Sequence, residues 1–141
     1  MSRATPFLMF QGQCEEALRF YAATLPDTRI EQLTHHGADG PGLPGTVFLA
    51  RLRLAGQSVM ANDSPPVHDF GFTPSFSFWI DCDTLEEVDR LAAALGEGGA
   101  VMMPPGDYGF AKRFAFVADR FGVSFQLCHG PARPRDGESS T

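Results

Sequence analysis

The same order of strands and helices is predicted twice along this chain of 141 residues. An apolar run at residues 6–11 is typical of a strand, and apolar positions spaced three and four apart in residues 14–25 indicate a helix, with three strand-like segments after it. The order begins again at residue 75, and its last three strands are predicted at residues 100–103, 110–118 and 123–129. One helix covers only one face of the sheet beside it, so each unit leaves a sheet face open. The sequence therefore predicts an α+β protein of paired βαβββ modules, residues 5–63 and 74–130, whose open sheet faces form a cup.

Length and composition are those of one globular domain. Single hydrophobic cores usually span roughly 100 to 200 residues. A content of 43% hydrophobic and 20% charged residues is ordinary for such a core. We therefore expect one domain over residues 1–130. The remaining residues, 131–141, are mostly Pro, Gly, Ser and charged residues, which predicts a disordered tail.

Charge and hydropathy argue against two classes of partner. The net charge of −6 and the sequence pI near 5.0 disfavour contact with phosphate backbones, so we expect no nucleic-acid partner. No apolar run approaches the roughly 20 residues that cross a bilayer, so we expect no membrane partner. The three cysteines, Cys14, Cys82 and Cys128, are far apart and odd in number, which indicates reduced thiols and a cytoplasmic location.

Alternation along two strands selects candidate residues for the cup. Side chains of a strand point to opposite faces in turn, so Ser75, Ser77 and Trp79 share one face, while Phe76, Phe78 and Ile80 should meet the helices. Ser124, Gln126 and Cys128 share a face of the last strand. A dimer interface or a solvent face is an equally good interpretation of this set. The pocket-lining candidates are Met60, Ser75, Ser77, Trp79, Gln126 and Cys128.

Other polar residues have a structural and a functional interpretation side by side. Phe48, Ala50, Leu52 and Leu54 share one parity, and the intervening Arg51 and Arg53 either bind a carboxylate or phosphate in the cup or are simply exposed. Asp63 is a possible general base, although Asp before Ser-Pro-Pro favours a turn. Cys128 has no evident activating partner, and we expect it to be a small buried side chain. Three of the four histidines, His35, His36, His68 and His129, lie in predicted loops or at strand ends, and no shared metal site is expected.

Several short segments together resemble a known family. They are Phe10-Gln11-Gly12-Gln13-Cys14-Glu15-Glu16-Ala17, Phe20-Tyr21, Asn62-Asp63, and Asp119-Arg120-Phe121-Gly122-Val123-Ser124-Phe125-Gln126-Leu127. With them the chain resembles the PhnB-like branch of the vicinal-oxygen-chelate superfamily, which includes glyoxalases, bleomycin-resistance proteins and dioxygenases. The branch is also described as 3-demethylubiquinone methyltransferase-like. The resemblance implies paired βαβββ modules and a homodimer.

The resemblance also implies where a metal would be held. In metal-using relatives, His or Glu side chains on the first, fourth, fifth and eighth strands bind a divalent ion. Counting along this sequence places Pro6, Met60, Ser75 and Gln126 at those positions. Proline has no side-chain donor, a thioether suits hard ions poorly, and the other two oxygens are neutral. We therefore expect no metal and no other cofactor.

Four functions follow from these residues and from the resemblance. The function that agrees best with the sequence is that of a metal-free protein that binds a small organic molecule in its cup. The first alternative is a metal-dependent lyase or dioxygenase. The second is a metal-free enzyme using Ser77, Gln126, Asp63 or Cys128. The third is a methyltransferase, which would need a glycine-rich turn from a strand into a helix, whereas Gly96, Gly98 and Gly99 follow a helix.

Overall fold

The computed structural model describes residues 1–131, so the predicted disordered tail lies, except for Pro131, outside the described residues. The chain divides into two compact units, the first being Met1–Gly71 and the second beginning at Phe72. Both predicted modules lie inside these units. No helix in the described part of the chain is long and apolar enough to span a bilayer.

The first unit is a four-stranded sheet with one helix. Its elements in chain order are β1 (Phe7–Phe10), α1 (Cys14–Thr24), β2 (Arg29–His35), β3 (Val47–Leu54) and β4 (Gln57–Asp63). The strand order is β1-β4-β3-β2. Strand β1 is parallel to β4, and the other two pairings are antiparallel.

The second unit repeats this topology. Its elements are β5 (Ser77–Cys82), α2 (Leu85–Gly96), β6 (Ala100–Gly106), β7 (Arg113–Ala118) and β8 (Ser124–His129). The strand order is β5-β8-β7-β6, again with the first pair parallel and the others antiparallel. The prediction of an α+β fold with two βαβββ modules is confirmed.

Each helix packs on one face of its own sheet. Helix α1 buries Cys14, Ala17, Leu18 and Tyr21, and α2 buries Val88, Leu91, Ala92 and Leu95. These apolar positions recur every three or four residues, which places them on one side of a helix. The opposite face of each sheet therefore has no helix of its own unit over it.

The N-terminus of α2 is capped by side chains. The hydroxyl of Thr84 accepts the backbone N–H of Glu87 at 3.1 Å, and the Glu87 carboxylate accepts the N–H of Asp83 at 2.9 Å. The first bond satisfies an amide that the first turn of a helix leaves without a partner, and the second fixes the residue before the cap. Arg113 of β7 makes a two-pronged ion pair with Asp89 of α2 at 2.9 and 2.7 Å, which fixes the side of the sheet that faces the helix.

The N-terminus of α1 depends on an acid from a distant strand. Asp63, at the end of β4, is only 5% exposed, and its Oδ1 accepts the backbone N–H groups of Gly12 at 2.8 Å and Cys14 at 2.9 Å. Its Oδ2 accepts the N–H of Val47 at 2.9 Å. The predicted turn role of Asp63 is wrong, because the carboxylate instead joins the β1–α1 turn and the start of β3 to β4.

Three strand boundaries differ from those predicted. Strand β5 begins at Ser77, and Ser75 lies in the preceding turn, where its hydroxyl is 2.6 Å from that of Thr73. Strand β7 begins at Arg113 rather than Phe110. Strand β6 continues through two prolines to Gly106, which is possible because β6 is an edge strand with one side free of hydrogen bonds.

Two aromatic residues expected on the helix faces are exposed. Phe48 is 52% exposed and Val47 is buried in its place, because the register between β2 and β3 shifts at Thr34/His35. Phe76 is 53% exposed because it precedes β5 and so has no place on the helix-facing side of the sheet. Phe78 and Ile80 are buried as predicted.

Replacing Asp63 should test its role in the first unit. We expect Asp63→Ala to lower the free energy of unfolding by about 2–4 kcal/mol, because three backbone amides lose a charged acceptor. The matched control is Asp39→Ala, an exposed loop position, which should change the free energy by less than about 0.5 kcal/mol. Urea unfolding of both variants measures the difference, and equal effects would contradict this role.

Candidate functional site

The face of the second sheet that points away from α2 holds most of the predicted pocket residues. We call it the open face of the second sheet. Its members follow from the register, because Ser77, Trp79 and Asp81 pair with Ser124, Gln126 and Cys128, and these pair in turn with Ala118, Phe116 and Phe114. The structure thus brings Ser77, Trp79, Gln126 and Cys128 onto one face. That they line a pocket remains a prediction.

An aromatic cluster covers one end of this face. Phe114 is buried, and its ring centroid lies 4.9 Å from that of Phe110, 5.8 Å from that of Trp79 and 6.0 Å from that of Tyr108. Edge-to-face and tilted arrangements at such distances are favourable. Trp79 and Tyr108 are still 44% and 40% exposed. We call these four residues the aromatic platform, because the exposed rings of Trp79 and Tyr108 lie against the buried ring of Phe114.

A polar pair lies beside the platform. The Nε2 of Gln126 donates a hydrogen bond of 2.8 Å to the hydroxyl of Ser77. Both side chains are partly exposed, and Gln126 stands between Trp79 and Phe116 in the register. The Gln126 carbonyl oxygen and the Ser77 hydroxyl proton can therefore bond to a bound molecule. Ser124 shares the face but is buried, which removes it as a contact.

The cysteines are free thiols without nucleophilic character. All three lie in the described part of the chain and are buried. Burial raises the pKa of Cys14 and of Cys82 to about 12, with smaller contributions from nearby acids. Burial and then the charge of Asp81 raise the pKa of Cys128, whose thiol donates to the carbonyl of Gly130 at 3.3 Å. Cys128 is therefore a small buried side chain, as predicted, and it packs against Phe114.

The first sheet has an open face of different chemistry. Phe7, Met60 and Arg51 lie side by side there, since Met60 pairs with Phe7 on one side and with Arg51 on the other. Arg51 is exposed. The guanidinium of Arg53 bonds to the Asp27 carboxylate at 3.1 and 3.2 Å. An anion site at the two arginines stays a prediction, and Arg53 would have to give up this partner to take part.

The register corrects two of the positions expected to correspond to metal ligands. Pro6 precedes β1 with the parity of the helix face, so the open-face residue beside Met60 is Phe7. Ser75 lies outside β5, so the residue beside Gln126 is Trp79. Both predicted positions were wrong because the composition of the sequence does not mark the residue at which each strand begins.

The corrected positions do not fit a divalent ion. Phe7 and Trp79 have no side-chain lone pair to give, Met60 offers a thioether, and Gln126 a neutral amide oxygen. Within residues 1–131, no three His, Cys, Asp or Glu side chains come together as a metal site.

The four histidines lie apart, and each has a local partner. The partners are the Glu15 carboxylate at 2.5 Å for His35, the Phe48 ring for His36, the Phe70 ring for His68 and the Cys82 carbonyl at 3.0 Å for His129. These contacts explain the position of each histidine side chain without a bound ligand.

A small cavity lies in the first unit near the β1–α1 turn. Its volume is about 70 Å³, and Gln11, Thr46, Asp63 and Pro65 are among the residues that line it. This volume holds about two waters. Both oxygens of the Asp63 carboxylate already accept backbone amides, so this side chain has a structural role at the cavity wall.

Solved structures with this topology define the class. A glyoxylase/bleomycin resistance protein/dioxygenase domain from Frankia shares the fold with a TM-score of 0.61 at 16% identity, covering 92% of this chain and 98% of that one. The fosfomycin resistance protein FosX of Listeria monocytogenes shares it with a TM-score of 0.59 at 12% identity, covering 92% and 93%. The fold is therefore that of the glyoxalase and bleomycin-resistance proteins.

Sequence comparison narrows the class to one family. The profile of the 3-demethylubiquinone-9 3-methyltransferase family matches residues 2–128. A PhnB protein of Bacillus cereus is 40% identical with a TM-score of 0.86, over 92% of this chain and 100% of that one. Protein YjdN of Escherichia coli is 25% identical over 136 residues, 87% of this chain and 92% of that protein. The chain belongs to this PhnB-like family.

Metal loading tests the interpretation of the open-face residues. We expect protein incubated with Zn²⁺, Ni²⁺ or Mn²⁺ and then desalted to retain far less than one ion per chain, because the four corrected positions lack charged or imidazole donors. Elemental analysis by mass spectrometry measures the bound metal. Near one ion per chain, lost in a Gln126→Leu variant, would contradict this expectation.

Proposed function

We propose that the protein binds a small planar organic molecule on the open face of the second sheet. The observation that carries the proposal is the position of Trp79, whose exposed indole rests against buried Phe114 beside the Gln126–Ser77 pair. Ligand sites commonly combine apolar and aromatic walls with a few placed polar groups. Trp79 and Tyr108 supply the ring surface, and Gln126 and Ser77 supply the polar anchors.

The expected affinity is modest for a simple probe. A ligand of about 15 non-hydrogen atoms at about −0.3 kcal/mol per atom has a Kd of the order of 0.1–1 mM. The anchoring hydrogen bonds would contribute about 0.5–1.5 kcal/mol each. Screening therefore has to reach millimolar concentrations.

We propose binding rather than methyl transfer, although the family description names a methyltransferase. A nucleotide-type methyl donor is expected to need a glycine-rich turn that leads from a strand into a helix. The glycines after α2 have a structural explanation. Gly98 has a φ of +75°, and a Cβ on Gly99 would lie only 2.1 Å from the carbonyl oxygen of Ala118. Both are glycines because the turn out of α2 demands them.

We also propose that the protein works in the cytoplasm as a homodimer. Three buried, unpaired thiols are in keeping with a reducing compartment. Exposed apolar side chains such as Phe7, at 49% exposure, favour a second copy as partner. Light scattering of the purified chain at micromolar concentration would give the dimer mass, and a monomer mass would contradict this proposal.

Truncation of the only tryptophan tests the proposed site. We expect 2-naphthol, a ring with one hydroxyl group, to bind the native protein in saturation-transfer NMR titrations. Trp79→Ala should weaken binding about 3- to 10-fold, because the probe loses its stacking partner.

The matched control is Phe76→Ala, since Phe76 is an equally exposed aromatic residue of the same unit that lies outside the sheet. It should leave the Kd within about twofold. No binding at millimolar probe, or equal weakening in both variants, would contradict the proposed site.

A further inference from the structure

One acidic side chain stands on the proposed binding face. Asp81 lies two residues after Trp79 on β5 and therefore on the same face, and it is exposed. The Oδ1 of Asp81 accepts the indole N–H of Trp79 at 3.0 Å. This bond orients the indole, and no other donor in the described part of the chain bonds to Oδ2.

No basic residue in the described part of the chain forms an ion pair with Asp81. Arg113 precedes Phe114 in the sequence, but its side chain points to α2 and forms an ion pair with Asp89. Lys112 directly precedes the inner strand β7, shares the parity of Phe114 and is exposed, and it forms no ion pair with Asp81. Among residues 1–131, Asp81 therefore carries a negative charge beside an aromatic surface without an ion-pair partner.

A carboxylate and an indole side by side recognise a particular chemistry. A protonated amine can donate a charge-assisted hydrogen bond to the carboxylate, and its charge is also attracted to the face of a tryptophan ring. A neutral ligand gains only the ring contacts. A carboxylate ligand would be repelled by Asp81.

We propose that the ligand of this site is cationic, with a protonated alkylamine joined through a carbon atom to a planar aromatic ring. The ring lies on the aromatic platform, and the ammonium group bonds to Asp81 Oδ2. This inference rests on the proposed function, since it names the ligand class of the same site.

Three probes with one ring system separate the effect of charge from that of the ring. They are 2-(aminomethyl)naphthalene, 2-(hydroxymethyl)naphthalene and 2-naphthoate, titrated calorimetrically into the full chain at pH 7 and low salt. We expect the amine to bind about 3- to 10-fold more tightly than the alcohol and the naphthoate to bind most weakly. High salt should reduce the preference for the amine.

Two variants assign the preference to Asp81. Asp81→Asn keeps a side-chain oxygen for the Trp79 indole and removes the charge, so it should lower the affinity for the amine to that for the alcohol and leave the alcohol within about twofold. The matched control, Lys112→Gln, removes an exposed charge of the opposite sign nearby and should keep the order of the three probes. Thermal unfolding shows whether each variant is folded.

The outcomes distinguish the two proposals. Equal binding of all three probes, or tightest binding of naphthoate, overturns the cation preference and leaves the aromatic site intact. Equal weakening of all three by Asp81→Asn also overturns it, because Asp81 would then only position Trp79. Absence of binding by every probe overturns the proposed function together with this inference.

Discussion

Each four-stranded sheet of this protein has a single helix to bury it, and a helix can bury only one of the two faces. The division into faces follows from that constraint. In the second unit, Phe125 and Leu127 alternate with Gln126 along β8, so the aliphatic and aromatic core meets α2 while the amide does not. The open faces are a consequence of the fold, and partly exposed side chains such as Trp79 and Gln126 lie on the second of them.

The repeated topology shows how the two open faces differ. The parallel pairs β1–β4 and β5–β8 place Phe7 beside Met60 in the first unit and Trp79 beside Gln126 in the second. On the next strand, Arg51 of the first unit corresponds to Phe116 of the second. Only the second face combines an exposed indole, supporting rings and a polar pair, which is why we propose ligand binding there.

Most of the fold could be predicted from local patterns in the sequence. The order of elements and the grouping of Ser77, Trp79 and Gln126 follow from strand alternation, which depends only on neighbouring residues. The role of Asp63 could not be read in this way, because its amide partners Gly12 and Cys14 are 51 and 49 residues away. An acid followed by Ser-Pro-Pro looks the same whether it forms a turn or caps a distant helix.

The aromatic platform could likewise not be predicted from the sequence. Phe110 was expected inside a strand, but Phe110 and Tyr108 precede β7 and lie back against Phe114. The bulge in the β2–β3 pairing changed the face of Phe48 for a similar reason, since a register shift leaves no mark in the composition of either strand.

Chemical-shift mapping would test the central claim, that a ligand occupies the open face of the second sheet. In ¹⁵N-labelled protein the only indole N–H signal belongs to Trp79. We predict that 2-(aminomethyl)naphthalene shifts this signal and the side-chain amide of Gln126 more than any signal of the first unit. Shifts concentrated at Arg51 or around the β1–α1 turn, with the Trp79 indole unchanged, would contradict the account.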